Sequence, residues 1–219
     1  MAITRSLWQE TRTFFPLFLS LIKERGAKSV CVVGASDGKF VLPLVRRGIR
    51  VVAIERNTTA LNGGPVVLPG GVESTMSGLR KRLAEEGFSN LVEIVEADIL
   101  DLTAELEPSD AVWTSCSWHY SINHRRPLGE FVATMKSLCR PHGGVFGAEY
   151  MMPVEPRHLT LEHYPEEGGM RHHFPGWTID WETYTPPFLE APHVEQLHQH
   201  VHRMGLIIAT HQQEENDED

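Results

Sequence analysis

The chain has 219 residues, 41% of them apolar and 22% charged, which suits one α/β domain with a full core and is short for two. Its net charge of −9 argues against a nucleic-acid partner, because phosphate binding requires a basic face. It has no apolar run near the length of about 18 residues that crosses a bilayer, and its three cysteines show no paired spacing. We therefore predict a cytoplasmic protein with no membrane partner and with its oligomeric state open.

Strand and helix patterns alternate along the chain. An amphipathic helix is predicted at 7–25, kinked or started afresh near Pro16, within a helical cap over 1–27. The pattern then predicts strands at 29–33, 50–55, 91–98, 110–115 and 143–150, and helices at 38–47, 74–86 and 127–139. The runs 177–185 and 201–210 favour an antiparallel hairpin. This order predicts a doubly wound α/β fold with a mostly parallel seven-stranded sheet and an antiparallel C-terminal hairpin strand.

Three segments interrupt this alternation. Residues 62–71 are rich in glycine and proline, and we expect a loop over the sheet edge. Residues 153–176 combine prolines, glycines, charges and histidines, which is typical of a lid-like insertion. The acidic tail at 214–219 is predicted to be disordered.

The stretch VCVVGASDGKF at 30–40 joins a buried strand to a helix through a glycine turn, as several kinds of ligand-binding loop do. A nucleoside-triphosphate loop would need a hydroxyl side chain where the chain has Phe40, so we discard that class. A dinucleotide loop would need glycines in place of Ser36 and Lys39. NAD is therefore a weak alternative.

The pattern that remains is Gly34-x-Ser36-x-Gly38, with Glu55 ending the next strand and Asp98 ending the one after. In this pattern the chain resembles the class I S-adenosylmethionine-dependent methyltransferases. The resemblance implies S-adenosyl-L-methionine as the cofactor. The cofactor-binding residues that it implies are Gly34, Ala35, Ser36, Asp37, Gly38, Glu55, Arg56, Asp98, Ile99, Ser115 and Trp118.

The same resemblance implies a Rossmann-like fold and a single methyltransferase domain over residues 1–213. It is clearest over residues 28–150. Beyond them, the last two strands are similar in texture to small bacterial methyltransferases of the tellurite-resistance type.

The chemistry of the side chains supports these assignments independently. A ribose diol offers two donors and a carboxylate offers two acceptor oxygens, so Glu55 can accept both. Asp98 can accept from an exocyclic amine, and its neighbour Ile99 offers an apolar surface to a ring. The glycine turn lets the backbone approach the methionyl part of the cofactor. Each residue taken alone also suits an ordinary turn or helix cap.

The stretch at 115–124 is where this family places groups that face the methyl acceptor. His119 is the preferred catalytic base or orienting group and Tyr120 adds a hydroxyl, although both also suit a pocket wall. Trp118 can stack on adenine or line the acceptor pocket. The predicted substrate-binding residues are Trp8, Arg12, Tyr150, His163 and His173.

The histidines near the C-terminal end alternate at His198, His200 and His202, which places them on one face of a strand, as a metal site would need. Because the resemblance offers no metal there, we prefer hydrogen bonding or pocket lining for these side chains and predict no metal.

The predicted function is S-adenosylmethionine-dependent methyl transfer by in-line displacement to an oxygen or nitrogen of a small molecule. The alternatives are a tellurite-type or thiol-type S-methyltransferase and a non-catalytic S-adenosylmethionine-binding module. An NAD-dependent oxidoreductase is a further rival.

Overall fold

The computed structural model describes residues 2, 3 and 5–212, with side chains from Arg5 onward, so the predicted acidic tail lies outside the described residues. The helices are α1 (Phe15–Glu24), α2 (Val41–Val45), α3 (Thr58–Asn62), α4 (Leu79–Glu86) and α5 (Leu128–Ser137). The strands are β1 (Ala2–Ile3), β2 (Ser29–Val33), β3 (Arg50–Ile54), β4 (Gly64–Leu68), β5 (Val72–Met76), β6 (Val92–Val95), β7 (Ala111–Ser115), β8 (Val145–Met151), β9 (Trp177–Tyr184), β10 (Phe188–Glu190), β11 (His200–His202) and β12 (Met204–His211).

A central sheet of seven strands has the order β6-β3-β2-β7-β8-β12-β9. β12 runs antiparallel to both β8 and β9, whereas the remaining neighbours pair in parallel. This confirms the predicted doubly wound, Rossmann-like sheet with its antiparallel C-terminal strand. The strand order reverses between β2 and β7, so the turn that begins at Gly34 lies at the point where doubly wound sheets bind ligands.

Both faces of the sheet are covered, which explains the uniformly apolar strands. On one face, Trp113 of β7 packs against Phe15, Phe18 and Phe40, with ring centroids 4.8 to 5.7 Å apart. On the other face, α5 buries Phe131 and its neighbours against β8. Within the described residues, no helix has both the length and the apolar character needed to span a membrane.

The predicted loop at 62–71 is wrong, because it contains β4, which pairs with β5 in an antiparallel hairpin. β5 also occupies the first residues of the helix predicted at 74–86, which begins only at Leu79. Strand β1 adds to this hairpin, in the order β1-β5-β4. Pro65 is tolerated because β4 is an edge strand, where a missing backbone donor breaks no ladder. The turn Gly70-Gly71, with φ of +82° and +77°, joins the two strands.

The predicted N-terminal helix is shorter than its apolar pattern, because α1 starts afresh at Phe15 with Pro16 in its first turn. Residues 5–14, directly before it, are irregular with turns at 7–10, and Trp8, Thr11 and Arg12 of these N-terminal turns line the cavity described below.

The insertion at 153–176 contains two short 3₁₀ turns and packs beside α5. Met170 and Phe174 are buried there, and Lys136 Nζ donates to the His173 carbonyl at 2.7 Å. The insertion is thus fastened by its own apolar residues to the flank of the sheet.

Candidate functional site

A cavity opens at the carboxyl ends of the central parallel strands. Its floor is formed by residues at the carboxyl ends of β2, β3, β7 and β8 or just after them, namely Gly34, Ser36, Lys39, Phe40, Glu55, Asn57, Ala60, Ser115, Cys116, Ser117, Tyr120, Glu149 and Met151. A narrower cleft adjoins it, lined by Val33, Gly34, Ile54, Glu55, Arg56, Ala97, Asp98, Ile99, Ser117 and Ser121. Gly34, Glu55 and Ser117 border both spaces, so the two form one elongated site.

The outer wall of the cavity comes from two segments far apart in sequence. The N-terminal turns contribute Trp8, Thr11 and Arg12, and the β10–β11 hairpin with its neighbours contributes Phe188, Glu190, His193, Glu195, His202 and Met204. Arg12 lies over the Phe188 ring, 4.5 Å from its centroid, which joins the two parts of the wall.

The side chain of Asp37 anchors the N-terminal turns. Its carboxylate is fully buried and accepts from Ser6 Oγ at 2.8 Å and from the Leu7 amide at 2.9 Å. Arg82 lies 3.4 Å away and balances the charge. Lys39 adds a second anchor by donating to the Thr11 carbonyl at 3.3 Å. Asp37 therefore fixes the cavity wall and does not line the site.

The glycine turn is held tightly against the segment that follows β7. Gly34 has φ of +75°, and a Cβ at this position would lie 2.8 Å from Ser117 Cβ. The Gly34 amide donates to the Ile54 carbonyl at 2.9 Å, which fixes the turn to β3. Only glycine satisfies both the left-handed conformation and this close approach.

Glu55 lies between the cleft and the cavity, and both of its oxygens accept from backbone amides of the glycine turn and of the segment after β3. Its Oε2 accepts from the Ser36 amide and its Oε1 accepts from the Asn57 amide, both at 2.7 Å. Because each carboxylate oxygen has two lone pairs, both oxygens can accept one further donor. Burial raises the pKa of Glu55, against the effect of the Asn57 and Ser36 amides. The arrangement suits a diol.

Asp98 is engaged mainly with protein donors. Oδ1 accepts from Ser121 Oγ at 2.9 Å, Asn123 Nδ2 at 3.1 Å and the Leu100 amide at 3.2 Å. Oδ2 accepts from the Ile122 amide at 3.0 Å and lies 3.9 Å from Arg56 Nε, so among the described residues it has one hydrogen-bond donor and can accept a further one from a ligand. Burial favours the protonated form, but the hydrogen bonds outweigh it and lower the pKa of Asp98.

Glu149 of β8 is a buried carboxylate at the centre of the cavity floor. Ser115 Oγ donates to its Oε1, and Thr13 Oγ1 and the Phe14 amide donate to its Oε2 at 2.7 Å. Burial raises the pKa of Glu149. This one side chain ties β7 and the start of α1 to β8.

The charges that line the cavity are mostly acidic. The carboxylates are Glu55, Glu149, Glu190 and Glu195, and the cations are Lys39 and Arg12. A cationic ligand is favoured over an anionic one in such surroundings, because the field of a partly enclosed site is only weakly screened.

Comparisons with known proteins bear on this geometry. No protein-family model and no curated protein matches the sequence. TehB from Haemophilus influenzae is similar in structure, with a TM-score of 0.64 and 13% identity over 93% of this chain and 65% of TehB. The 1,6-didemethyltoxoflavin N1-methyltransferase of Burkholderia thailandensis gives a TM-score of 0.60 and 15% identity over 95% of this chain and 82% of the enzyme. The cyclase SpnF gives a TM-score of 0.58 and 14% identity over 90% of this chain and 80% of SpnF.

The chain has the class I methyltransferase fold. At these identities the likeness establishes the fold alone, and the similarity of the cyclase SpnF shows that proteins with this fold do not share one reaction.

On this methyltransferase fold, the predicted site residues divide into two groups. The elongated site includes Trp8, Arg12, Gly34, Ser36, Glu55, Arg56, Asp98, Ile99, Ser115 and Tyr120. Outside its lining lie Ala35, Asp37, Gly38, Trp118, His119, Tyr150, His163 and His173. Gly38 instead allows α4 to approach, since a Cβ there would lie 2.7 Å from Leu79 Cδ1.

The expectation that Trp118 and Tyr150 face a ligand is corrected by their burial. Both side chains are completely buried and pack together, with ring centroids 6.3 Å apart. Trp118 Nε1 donates to the His163 carbonyl at 3.1 Å, and His163 Nε2 lies 2.9 Å from the Arg126 carbonyl. These residues hold the insertion onto the flank of the sheet, and His173 faces Gly129 of α5 in the same region.

His119 also lies outside the cavity lining and packs against Tyr164, with ring centroids 4.6 Å apart and the ring planes tilted by 57°. Burial, with smaller effects from His163, His158 and His202, lowers the pKa of His119 to about 3. The ring is therefore neutral and enclosed in the insertion side of the fold. Tyr120, its neighbour, does line the cavity.

Sequence reasoning missed the floor residue Glu149 and the wall residues His193 and Glu195. Glu149 lies inside a strand that otherwise has the apolar pattern of the core, and this isolated charge is the signal that marks it. The other two lie in an irregular connection whose position over the cavity depends on the pairing of β10 with β11.

Proposed function

We propose that this protein is an S-adenosyl-L-methionine-dependent methyltransferase whose acceptor is a small molecule. The observation that carries the proposal is Glu55, a carboxylate that follows β3 beside the switch point of the sheet and has a second lone pair on each oxygen for a further donor. The cleft beside it is lined by Arg56, Asp98 and Ile99, which suit an adenosine.

The residues present fit this cofactor. Glu55 would accept both ribose hydroxyls, Ile99 would contact the adenine ring, and Asp98 Oδ2 would accept from the adenine amine. The turn from Gly34 to Ser36 would hold the methionyl part. The cofactor supplies an electrophilic methyl group on a sulfonium cation, and the acidic lining of the cavity favours that positive charge. A dinucleotide diphosphate would meet the same carboxylates unfavourably.

The acceptor would occupy the larger cavity between the N-terminal turns and the β10–β11 hairpin. Methyl transfer needs the acceptor atom held close and in line with the reacting bond, so positioning provides much of the rate enhancement. Tyr120 can orient an acceptor through its hydroxyl. Burial and the nearby Glu195 raise the pKa of Tyr120, so it would serve as a donor and not as a base.

The proposal of a small acceptor, at oxygen or nitrogen, is supported by the walls that enclose the cavity. The net charge of −9 argues against a nucleic-acid acceptor. The likeness to TehB keeps a tellurite-type or thiol-type acceptor as the second candidate. We also propose that the protein acts in the cytoplasm, where its buried free thiols Cys31, Cys116 and Cys139 would remain reduced.

Calorimetry with S-adenosylhomocysteine and with NADH tests the cofactor assignment. We expect the first to bind and the second not to bind. Glu55→Gln should weaken S-adenosylhomocysteine binding about 10- to 100-fold, because a hydrogen bond to a charged group contributes about 1.5 to 3 kcal/mol. The exposed Glu93→Gln, on β6, is the matched control and should bind as the wild type does.

Tight binding of NADH, or unchanged S-adenosylhomocysteine binding by Glu55→Gln, would contradict the cofactor assignment. Catalysis is tested separately by the release of S-adenosylhomocysteine from S-adenosylmethionine in the presence of amines, phenols, thiols or tellurite. If the protein binds S-adenosylhomocysteine but none of these acceptor classes produces its release from S-adenosylmethionine, the non-catalytic module would be favoured.

A further inference from the structure

Four side chains of potential metal ligands meet on the cavity wall. Glu190, His193, His200 and His202 bring one ligand atom each into a group whose members all lie within 4.8 Å of one another. Glu190 pairs directly with His200 across the antiparallel β10–β11 ladder, and Phe188 pairs with His202. Residues two apart on a strand share a face, so the ladder points Glu190, His200 and His202 the same way. His193 joins them from the connection between the strands.

Two separations within this group match those between the ligand atoms of a tetrahedral metal ion. Glu190 Oε2 lies 3.2 Å from His202 Nε2 and 3.6 Å from His200 Nε2. Zinc binds imidazole nitrogen and carboxylate oxygen at about 2.0 to 2.2 Å, which separates tetrahedral ligand atoms by about 3.3 to 3.6 Å. One ion would therefore reach these atoms without a change in the backbone.

A separate observation concerns the second nitrogen of His200. His200 Nδ1 lies 2.8 Å from the His198 carbonyl oxygen, which can only accept, so Nδ1 carries the proton. The lone pair of His200 Nε2 then faces the group. This atom is buried and has no hydrogen-bond partner among the described residues. A ring held by a backbone carbonyl on one nitrogen, with a free lone pair on the other, is the usual arrangement of a metal-binding histidine.

We infer that Glu190, His193, His200 and His202 bind one divalent transition-metal ion with the coordination preference of Zn²⁺. This revises the prediction of no metal. His198, which the alternating pattern grouped with the other two histidines, is exposed and contributes its backbone carbonyl only. Four protein ligands complete a tetrahedral shell, as in structural zinc sites.

The ion would fasten the cavity wall. The pair β10–β11 forms a two-stranded sheet of its own, and a two-stranded hairpin is only marginally stable without further support. A metal that joins both strands and their connection would hold Phe188, Glu190, His193 and His202 in place beside the proposed acceptor space. The inference does not depend on the proposed function, because it concerns metal binding and stability.

The test uses full-length protein without a histidine tag, stripped of metal and titrated with Zn²⁺ and, as a spectroscopic probe, Co²⁺. We expect one equivalent of either ion to bind, with the visible absorption of tetrahedral Co²⁺ and a higher midpoint of thermal unfolding. His200→Ala and Glu190→Gln should each weaken binding at least tenfold and lose the thermal shift. His198→Ala is the matched control on the same hairpin and should behave as the wild type does.

Circular dichroism and S-adenosylhomocysteine binding of each variant establish that it is folded. Failure of the wild type to bind one equivalent, or equal binding by wild type and His200→Ala, would overturn the inference. If His200→Ala does not fold, the inference is tested by the wild type alone. One bound equivalent with a tetrahedral Co²⁺ spectrum supports the site, and any other result overturns it. Loss of metal binding with intact S-adenosylhomocysteine binding separates this site from the cofactor site.

Discussion

At the scale of single residues, the site depends on positions where the backbone and one side chain are fixed together. Gly34 is the clearest case, since it has a left-handed conformation and also meets Ser117. The chain contains a natural comparison, because Gly48 has the same φ of +75° and no atom within 4 Å of the Cβ that alanine would add.

Gly34→Ala should therefore be more destabilising than Gly48→Ala. Both variants place a Cβ at positive φ, which costs about 1 to 2 kcal/mol. Gly34→Ala adds the overlap with Ser117, for which strain of about 1 to 3 kcal/mol is typical. Denaturant unfolding measures the difference, and calorimetry should show loss of S-adenosylhomocysteine binding for Gly34→Ala alone. Equal unfolding free energies for the two variants would mean that the turn adapts.

The residues that sequence reasoning found are those with a fixed place in the chain order of the fold. Gly34 and Glu55 each follow a strand directly, so the parallel sheet brings them together whatever the loops do. His119 also follows a strand, but the 3₁₀ turn Ser117–Tyr120 rotates it away from the cavity and presents Tyr120. The direction of a side chain in such a turn depends on packing against the insertion, which no local pattern encodes.

At the scale of elements, carboxylates placed beside the ends of strands hold one connection against another. Asp98 follows β6 and binds the turn at 121–123, which follows β7. Asp110, which directly precedes β7, has a comparable role at the opposite end of the sheet, where it accepts from the Lys28 and Ser29 amides at 2.7 and 3.0 Å. These contacts are long-range in sequence and fix loops that the strands alone would leave free.

Asp98→Asn should lower the free energy of unfolding by about 1 to 3 kcal/mol near neutral pH, because an amide replaces an acceptor of protein donors. The pKa of Asp98 is lower in the folded than in the unfolded chain. Its contribution is therefore fully present above the unfolded pKa of about 3.9 and is lost as the pH falls through the folded pKa. The difference between variant and wild type should shrink below about pH 4.

Unfolding midpoints measured between pH 3 and pH 8, values chosen to bracket that pKa, check this dependence. The exposed Glu93→Gln, on β6, serves as the control and should change the unfolding free energy by less than about 0.5 kcal/mol. A difference for Asp98→Asn that stays constant down to the lowest pH would show that the charge is not involved.

The alternation of strands and helices was predictable because parallel strands covered on both faces need continuous apolar runs. The β4–β5 hairpin was not predictable from the sequence. β4 begins with Gly64 and Pro65, which are uncommon in strands, and most positions of both strands are exposed or half-buried, so neither has a continuous apolar run. The β10–β11 pair has only three residues in each strand, so its sequence carries too little periodicity to reveal the pairing that gathers the metal ligands.

At the scale of the whole molecule, the site links the central sheet to both cavity walls, so a bound ligand should stabilise the chain as a unit. S-adenosylhomocysteine at 100 times its dissociation constant adds about 2.7 kcal/mol. For a protein of this size, that corresponds to a rise of about 5 to 11 °C in the unfolding midpoint.

Differential scanning fluorimetry with and without S-adenosylhomocysteine measures this rise, and NADH at the same concentration should produce none. Glu55→Gln should show a smaller rise at equal ligand concentration, in proportion to its weaker binding. A shift of equal size with NADH would favour the oxidoreductase alternative.

The two spaces of the site are completed at different points along the chain. The cleft that we assign to adenosine uses residues up to Ser121, whereas the wall of the larger cavity includes His202 and Met204. During synthesis, a chain that has just left the ribosome up to α5 already contains every residue of the first space. The second space is complete only once the chain has been made as far as Met204, so the ability to select an acceptor would arise after the adenosine cleft is complete.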